Sequence, residues 1–164
     1  MNNSMTMFVA SPEADKKRSF IFDQITFEYD ALRWTDDIYL LRKNNPSLSR
    51  PDAVKTVSKN TSWHWVVGNM PVPDIARTDY GCLAFNAKAM QCFSGMLEQN
   101  DFLSIGNGWF LFVHDVLPSN HSHLHLFSNE KGEMIVSQPF KDRYHACGLV
   151  GLKFSDPSVP FWKR

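Results

Sequence analysis

The sequence predicts a single α+β domain: a mixed, mostly antiparallel β-sheet with two helices packed on one face. Two observations predict this class. Short apolar stretches rich in Phe, Trp, Ile and Val recur along the chain, as expected of strands. In addition, a series of apolar run, short polar residue, helical pattern and second apolar run occurs twice, at 81–105 and 132–154. The domain is therefore predicted to be built partly from two strand–helix–strand units.

The composition is typical of one folded domain. The chain has 164 residues, of which 43% are hydrophobic and 21% charged, enough to bury a substantial core. Seventeen basic residues balance seventeen acidic ones, so charge gives no support for nucleic-acid binding, and none is predicted. The three cysteines form no CxxC pair. They argue against a disulfide scaffold or a zinc ribbon and fit a reducing compartment.

Targeting signals are not evident in the sequence. Residues 1–15 lack a basic start and a long apolar run, so no secretion signal is expected. No stretch approaches the roughly 20 apolar residues that span a membrane. We therefore expect a cytoplasmic protein without membrane association.

The first half of the chain is predicted to alternate strands and loops. Met5–Ala10 is expected to be a first strand, and Phe20–Tyr29 a strand with a bulge, because its apolar alternation changes phase. Residues 30–43 fit either a short helix or a further strand. The segment NNPSLSRP, 44–51, is a clear break.

A further strand and a loop precede the first strand–helix–strand unit. Residues 61–67, TSWHWVV, have the aromatic and β-branched content of a strand. Residues 68–77, GNMPVPDIAR, are predicted to be a loop stiffened by Pro71 and Pro73.

Each unit contains the signals that begin and end a helix. A short polar side chain, Asn86 or Ser137, lies where it can accept hydrogen bonds from the first free backbone N–H groups of the helix. Pro139 occupies an early helical position, and Gly148 is placed to end the second helix. Apolar residues recur on one face of each helix, namely Met90, Phe93 and Leu97 in the first and Phe140 and Tyr144 in the second. The intervening segments, 108–118 and 120–129, are predicted to pair as antiparallel strands.

Three alternating histidines raise the question of a metal site. On a strand, His121, His123 and His125 would point to one side about 6.6 Å apart, so two of them could share a metal. Further ligands would have to come from His114, Asp115 or His145. The intervening Leu124 and Leu126 would fill the buried face, which is what a half-exposed strand requires anyway. We therefore predict an exposed polar face and no metal, and a hydrolase using His121 and His123 remains the alternative.

Other catalytic arrangements are missing from the sequence. It contains no GxSxG motif, no phosphate-binding GxxxxGK[ST] and no HExxH. The adjacent Asp36 and Asp37 would point apart on a helix or a strand, so they do not indicate a catalytic pair. Cys147, near a helix end, is predicted to be a packing residue and not a nucleophile. The sequence thus predicts a protein that is not an enzyme and needs no cofactor.

A contact surface is the function that these residues favour. Residues 19–41 carry five acidic residues against one arginine, a local net charge of −4, interleaved with aromatic side chains. Aromatic anchors among charges are typical of protein interfaces, and acids speed encounter with a basic partner. On the 61–67 strand, His64 faces away from its two tryptophan neighbours. The candidate partner-binding residues are Glu28, Asp30, Trp34, Asp36, Asp37, Tyr39, His64 and Asp74.

The second half of the chain resembles a known family. The segments PVPDIARTDYGCLAFNAKAMQCFSGMLEQNDFLSI, WFLFVHDVLPSN and GEMIVSQPFKDRYHACGLVGLKF are similar to the Myxococcus-type immunity-protein family eleven of bacterial polymorphic-toxin systems. The resemblance covers about residues 71–155. It leaves 1–70 as an unmatched N-terminal region and 156–164 as a C-terminal tail of the single domain, 1–164.

The resemblance implies a protective function. Members of this family bind and neutralise a toxin delivered by a contact-dependent or type VI secretion system, so that the producing cell survives. For this chain it implies a cognate toxin as partner, acting in the cytoplasm. The alternatives are the hydrolase above and an adaptor module with an endogenous partner.

Overall fold

The structure, a computed structural model, describes residues 6–12, 25–27, 31–57, 63–65, 73–77, 83–106, 108–113, 117, 124–160 and 163. The strands among them are β1 (Met7–Pro12), β2 (Ile25–Phe27), β3 (Trp63–Trp65), β4 (Ile75–Arg77), β5 (Leu83–Asn86), β6 (Phe102–Gly106), β7 (Trp109–Phe112), β8 (Leu126–Ser128), β9 (Met134–Ser137) and β10 (Leu152–Ser155). The helices are α1 (Ala31–Asn44), α2 (Arg50–Val57), α3 (Ala87–Cys92) and α4 (Gln138–Ala146), with a 3₁₀ turn at Gln99–Asp101. The predicted α+β class is confirmed.

The described strands form two four-stranded antiparallel sheets and one two-stranded pair. One sheet has the order β4-β5-β7-β6, the other has the order β8-β9-β1-β10, and β2 pairs with β3. Where the sequence predicted one mixed sheet, the strands are thus divided between two.

The two sheets have the same topology. In unit one, the parallel strands β5 and β6 are joined through α3 and flank β7, which is antiparallel to both. In unit two, β9 and β10 are joined through α4 and flank β1 in the same way. Unit one therefore comprises β4–β7 with α3, and unit two comprises β8–β10 with α4, completed by β1 from the start of the chain.

The predicted pairing of segments 108–118 and 120–129 is wrong for the described strands. β7 pairs with β5 and β6, and β8 pairs with β9 in the other sheet. Among the described residues of the two segments, a backbone bond runs from the N–H of Leu117 to the carbonyl of Ser128 at 2.8 Å. Trp109, Leu111 and Phe112 are buried, and burial on both faces suits a central strand with a neighbour on each side.

Both predicted helix starts are confirmed. The side chain of Asn86 accepts the N–H of Ala89 at 2.9 Å, and that of Ser137 accepts the N–H of Phe140 at 3.2 Å. Pro139 lies in the first turn of α4. Gly148, after α4, has a φ of +66°, a conformation that costs glycine little.

One hydrophobic core joins the two units. It draws on both four-stranded sheets and on both α3 and α4. At its centre the rings of Phe93 and Phe140 stack with centroids 4.1 Å apart. Phe93 also meets Phe85 of β5 edge-on, and Phe140 meets Phe154 of β10 edge-on. The predicted face of the second helix is buried in this core. The predicted face of the first is only partly correct, because α3 ends at Cys92, which makes Phe93 its C-cap and leaves Leu97 beyond the helix.

A glycine allows a second close approach between the units. Gly151, in the turn before β10, has a φ of +120°, and a Cβ at this position would overlap the carbonyl oxygen of Ile75 and the side chain of Pro73. Unit two thereby lies directly against edge strand β4 of unit one.

The ambiguous segment 30–43 is a helix over most of its length. α1 is followed by the predicted break and by α2, whose first turn is capped by Ser49 Oγ accepting the N–H of Asp52 at 3.2 Å. Ile38 of α1 and Val54 of α2 pack with Leu111 of β7 on the face of the unit-one sheet that points away from the shared core. The two helices thus cover that face.

The remaining predictions are met in part by the described residues. The first strand is Met7–Pro12, two residues later than predicted, and strands occur at Ile25–Phe27 and Trp63–Trp65. The loop predicted over 68–77 is wrong at its end, where Ile75–Arg77 forms β4 against β5. The rest of Phe20–Tyr29, 61–67 and 68–77, apart from residues 73 and 74, lies outside the described residues.

Among the helices of the described ranges, none is long and apolar enough to cross a bilayer; α1 has 14 residues.

Candidate protein-binding surface

Helix α1 presents an exposed strip of mixed chemistry. Ile38 faces the unit-one sheet, so the opposite side of the helix meets solvent. Asp36, Tyr39, Leu40 and Lys43 follow the spacing i, i+3, i+4, i+7 of one helix face, and all four are exposed. We call these four residues the α1 strip.

The apolar part of the α1 strip is its most unusual feature. Tyr39 is 64% exposed and Leu40 50% exposed. Among the side chains that the structure describes, three large hydrophobic ones are exposed. Two of them are this adjacent pair on the strip, and the third, Val150, lies in unit two. Neighbouring exposed apolar side chains with a polar rim are characteristic of protein contact sites.

The charge of this surface differs from the sequence prediction. The acidic window ended at residue 41, but α1 continues for three residues and carries Arg42 and Lys43 in its last turn. Their position favours the helix, since cations stabilise the carboxyl end of a helix. The α1 strip therefore runs from an acid, Asp36, across Tyr39 and Leu40 to a base, Lys43, and a partner would need the opposite order of charges.

The C-terminus of α1 is held in place. The backbone N–H and the side-chain amide of Asn45 both donate to the carbonyl of Leu41 at 3.0 Å. These bonds satisfy a carbonyl that the helix itself leaves free. The α1 strip thus lies on a helix with a defined end.

The other predicted site residues, apart from Asp74, divide into three groups. Asp37 is half-buried beside the strip. Trp34 lies in α1, and His64 lies in β3 opposite Thr26, but only their backbones are described. Glu28 and Asp30 lie outside the described residues. Sequence reasoning missed Leu40 and Lys43, which the helical spacing would have added if 30–43 had been recognised as a helix.

Asp74 has a structural environment instead of an exposed one. It is 9% exposed, and its carboxylate accepts the side-chain amide of Asn86 at 2.8 Å and the N–H of Val150 at 3.0 Å. Asp74 thus orients the residue that caps α3 and ties it to the loop before β10. We do not include it in the candidate surface.

His125 occupies the same place in unit two. Its Nδ1 lies 2.7 Å from Oγ of Ser137, the residue that caps α4, and it precedes its edge strand as Asp74 does. In both units the supporting residue stands twelve positions before the cap. The backbone repeats the arrangement, because Asn86 and Ser137 donate their N–H groups to the carbonyls of Asp74 and His125.

This position corrects the interpretation of His125 as part of an exposed strand face. It is half-buried and lies before β8 instead of within it. Burial lowers the pKa of the imidazole below its ordinary 6.5, and the positive charge of Arg143 lowers it further. The flanking leucines also separate: Leu126 belongs to the shared core, whereas Leu124 packs with Phe127 on the other face of the sheet.

A histidine beside a serine is also the arrangement of a general base and a nucleophile. Ser137, however, is fully buried, and its oxygen already accepts the N–H of Phe140. The equivalent pair in unit one, Asp74 and Asn86, has no nucleophile. We therefore assign the His125–Ser137 pair to helix capping.

The described side chains include no group of three or more His, Cys, Asp or Glu placed to hold a metal ion. His114, Asp115, His121 and His123 lie outside the described residues, so the alternative histidine site stays a prediction.

A surface cleft of about 610 Å³ lies beside the end of α3. Its floor includes the buried rings of Phe93 and Phe102, and its rim includes Gln91 and Glu98. None of the lining residues is a buried charged or polar side chain, the feature that gives ligand pockets their specificity. We assign no ligand to it.

Comparisons of the whole chain with protein-family models, with curated proteins and with solved structures each gave no match. The resemblance to the immunity-protein family stays a prediction.

Proposed function

We propose that the protein is an immunity protein, which binds and neutralises a cognate toxin of a contact-dependent or type VI secretion system in the cytoplasm. The observation that carries the proposal is the α1 strip. It places adjacent exposed apolar side chains, Tyr39 and Leu40, between an acid and a base on a helix anchored to the core. The family resemblance of residues 71–155 supports the choice of a toxin as partner.

The geometry supports inhibition by covering. Tyr39 supplies a large ring with few rotatable bonds, which suits an interface anchor. Asp36 and Lys43 lie about two helical turns apart and favour one orientation of the partner. A stable complex buries roughly 1,200–2,000 Å² in total, so the α1 strip would form its centre, with surrounding residues at the rim.

The test uses the product of the gene directly upstream as the candidate toxin. We expect that product to arrest growth when it is expressed alone and not when it is expressed with this protein. Tyr39→Ala combined with Leu40→Ala should weaken binding by roughly thirty-fold or more, as for a lost anchor, and abolish protection. Calorimetry or surface plasmon resonance measures the affinity.

The matched control is Val150→Ala, which removes an exposed apolar side chain elsewhere and should leave affinity and protection unchanged. Growth arrest that persists with the wild-type protein would contradict the immunity function itself. Full protection by the Tyr39 and Leu40 double variant would place the interface on another surface.

A further inference from the structure

Two cysteines meet where the helices of the two units end. Cys92 is the last residue of α3, and Cys147 follows the last residue of α4. Both are half-buried and pack against the shared core. They are therefore neither sealed in the interior nor isolated on the surface.

The carbonyl of Arg143 connects the two cysteines. It accepts the thiol of Cys92 at 3.5 Å and the backbone N–H of Cys147 at 2.9 Å. The side chain of Cys147 lies close enough to the Cys92 thiol to raise its pKa. Rotation of the two side chains can bring the sulfur atoms to bonding distance.

We propose that Cys92 and Cys147 are a thiol–disulfide pair, which forms a covalent bond between α3 and α4 when the protein meets a small disulfide such as oxidised glutathione. The Cys147 thiolate attacks one sulfur of oxidised glutathione, forming a mixed disulfide and releasing one glutathione thiolate. The Cys92 thiolate then attacks the sulfur of Cys147 and releases the second. The two protons lost by the cysteines convert these thiolates into two molecules of reduced glutathione.

The surroundings of Cys92 determine the order of these steps. Burial raises the pKa of its thiol to about 12, and the hydrogen bond and charge of Cys147 raise it too, against the opposing positive charges of Arg143 and Lys88. Since the thiolate is the nucleophile, the Cys92 thiol is a poor first nucleophile, and its attack on the mixed disulfide limits the rate of closure. Closure is therefore slow at neutral pH and faster in alkaline buffer.

The bond would join unit one to unit two next to the stacked rings of Phe93 and Phe140. A disulfide restricts the unfolded chain more than the folded one. We expect the oxidised protein to melt roughly 5–10 °C higher than the reduced protein. This effect belongs to the fold and does not depend on the partner proposed above.

The experiment equilibrates the native full-length protein in glutathione buffers of increasing oxidised fraction and then blocks free thiols with a maleimide. Mass spectrometry of the digested protein should identify a linked peptide containing Cys92 and Cys147. Cys82→Ser is the matched control and should form the same link. Cys92→Ser should retain glutathione on Cys147 and gain no thermal stability, and Cys92→Ala provides the same readout if the serine variant folds poorly.

Three results would overturn the proposal. They are the absence of the linked peptide in the most oxidising buffer, a link that involves Cys82 instead, and a melting temperature that falls on oxidation.

Discussion

Units one and two share a topology and a capping geometry, but different chemistry fills them. In each, the residue before the edge strand bonds to the residue that caps the helix, twelve positions later. Unit one uses a carboxylate and an amide, Asp74 and Asn86, whereas unit two uses an imidazole and a hydroxyl, His125 and Ser137. The fold therefore requires a polar support at this position because the cap lies at the edge of the core. It does not require a particular side chain.

The two supports differ in what else they bind. The second carboxylate oxygen of Asp74 accepts the N–H of Val150 in unit two, so the unit-one support also joins the units. Aromatic rings join them as well, through the stack of Phe93 on Phe140. These differences can be tested by removing the connections one at a time.

Phe140→Ala should have the largest effect. The ring is fully buried, and its loss should lower the free energy of unfolding by about 3–5 kcal/mol. Chemical denaturation followed by circular dichroism measures the change. Phe140→Leu is the control, since it keeps most of the volume and should cost roughly 1 kcal/mol. If the two units were held together by other contacts, the alanine variant would lose little more than the leucine variant.

Asp74→Ala should have an intermediate effect and exceed His125→Ala. It leaves the amide of Asn86 and the N–H of Val150 without their acceptor, at a cost of about 2–3 kcal/mol. His125→Ala removes one bond to Ser137, which should cost about 1 kcal/mol. Asp74→Asn, which keeps one acceptor oxygen, should lie between them. Equal losses for the two alanine variants, measured by urea denaturation, would show that the bond to Val150 contributes nothing.

The smallest effect should be a pH dependence confined to unit two. The pKa of His125 is lowered in the folded protein, so protonation favours the unfolded chain. The stability contributed by neutral His125 is complete above pH 6.5 and is lost as the pH falls through the lowered folded pKa. Between pH 7 and pH 5 the wild type should therefore lose more stability than His125→Gln, whose amide does not titrate. Parallel melting curves for the two proteins across this range would refute the assignment.

Local patterns predicted the parts of the fold that depend on local chemistry. Asn86, Ser137 and Gly148 mark the ends of helices because they act on neighbouring backbone groups, and the structure confirms each of them. The repeat itself was also visible, since both units follow the same order of apolar and polar residues.

Strand partners and the roles of single histidines were not predictable in the same way. β7 is apolar enough to pair with any neighbouring strand, and only the assembled sheet selects β5 and β6. His125 alternates with leucines as an exposed strand residue would, yet its environment depends on Ser137 from another strand. Aligning the two units would have placed His125 opposite Asp74 and indicated a capping role. The charge of the candidate surface was mispredicted because the acidic window ended before Arg42 and Lys43, which belong to the same helix.

The origin of β1 affects how the molecule folds. Unit one receives its central strand, β7, from the residues that directly follow β6, so its sheet can assemble from one continuous stretch. The sheet of unit two is complete only when β1 has paired, and β1 is separated by about 125 residues from its partners in β9. Because so long a loop must close, this pairing is expected to be slow. We expect unit one to organise first and the sheet of unit two to be completed in the last step, when both distant segments come together.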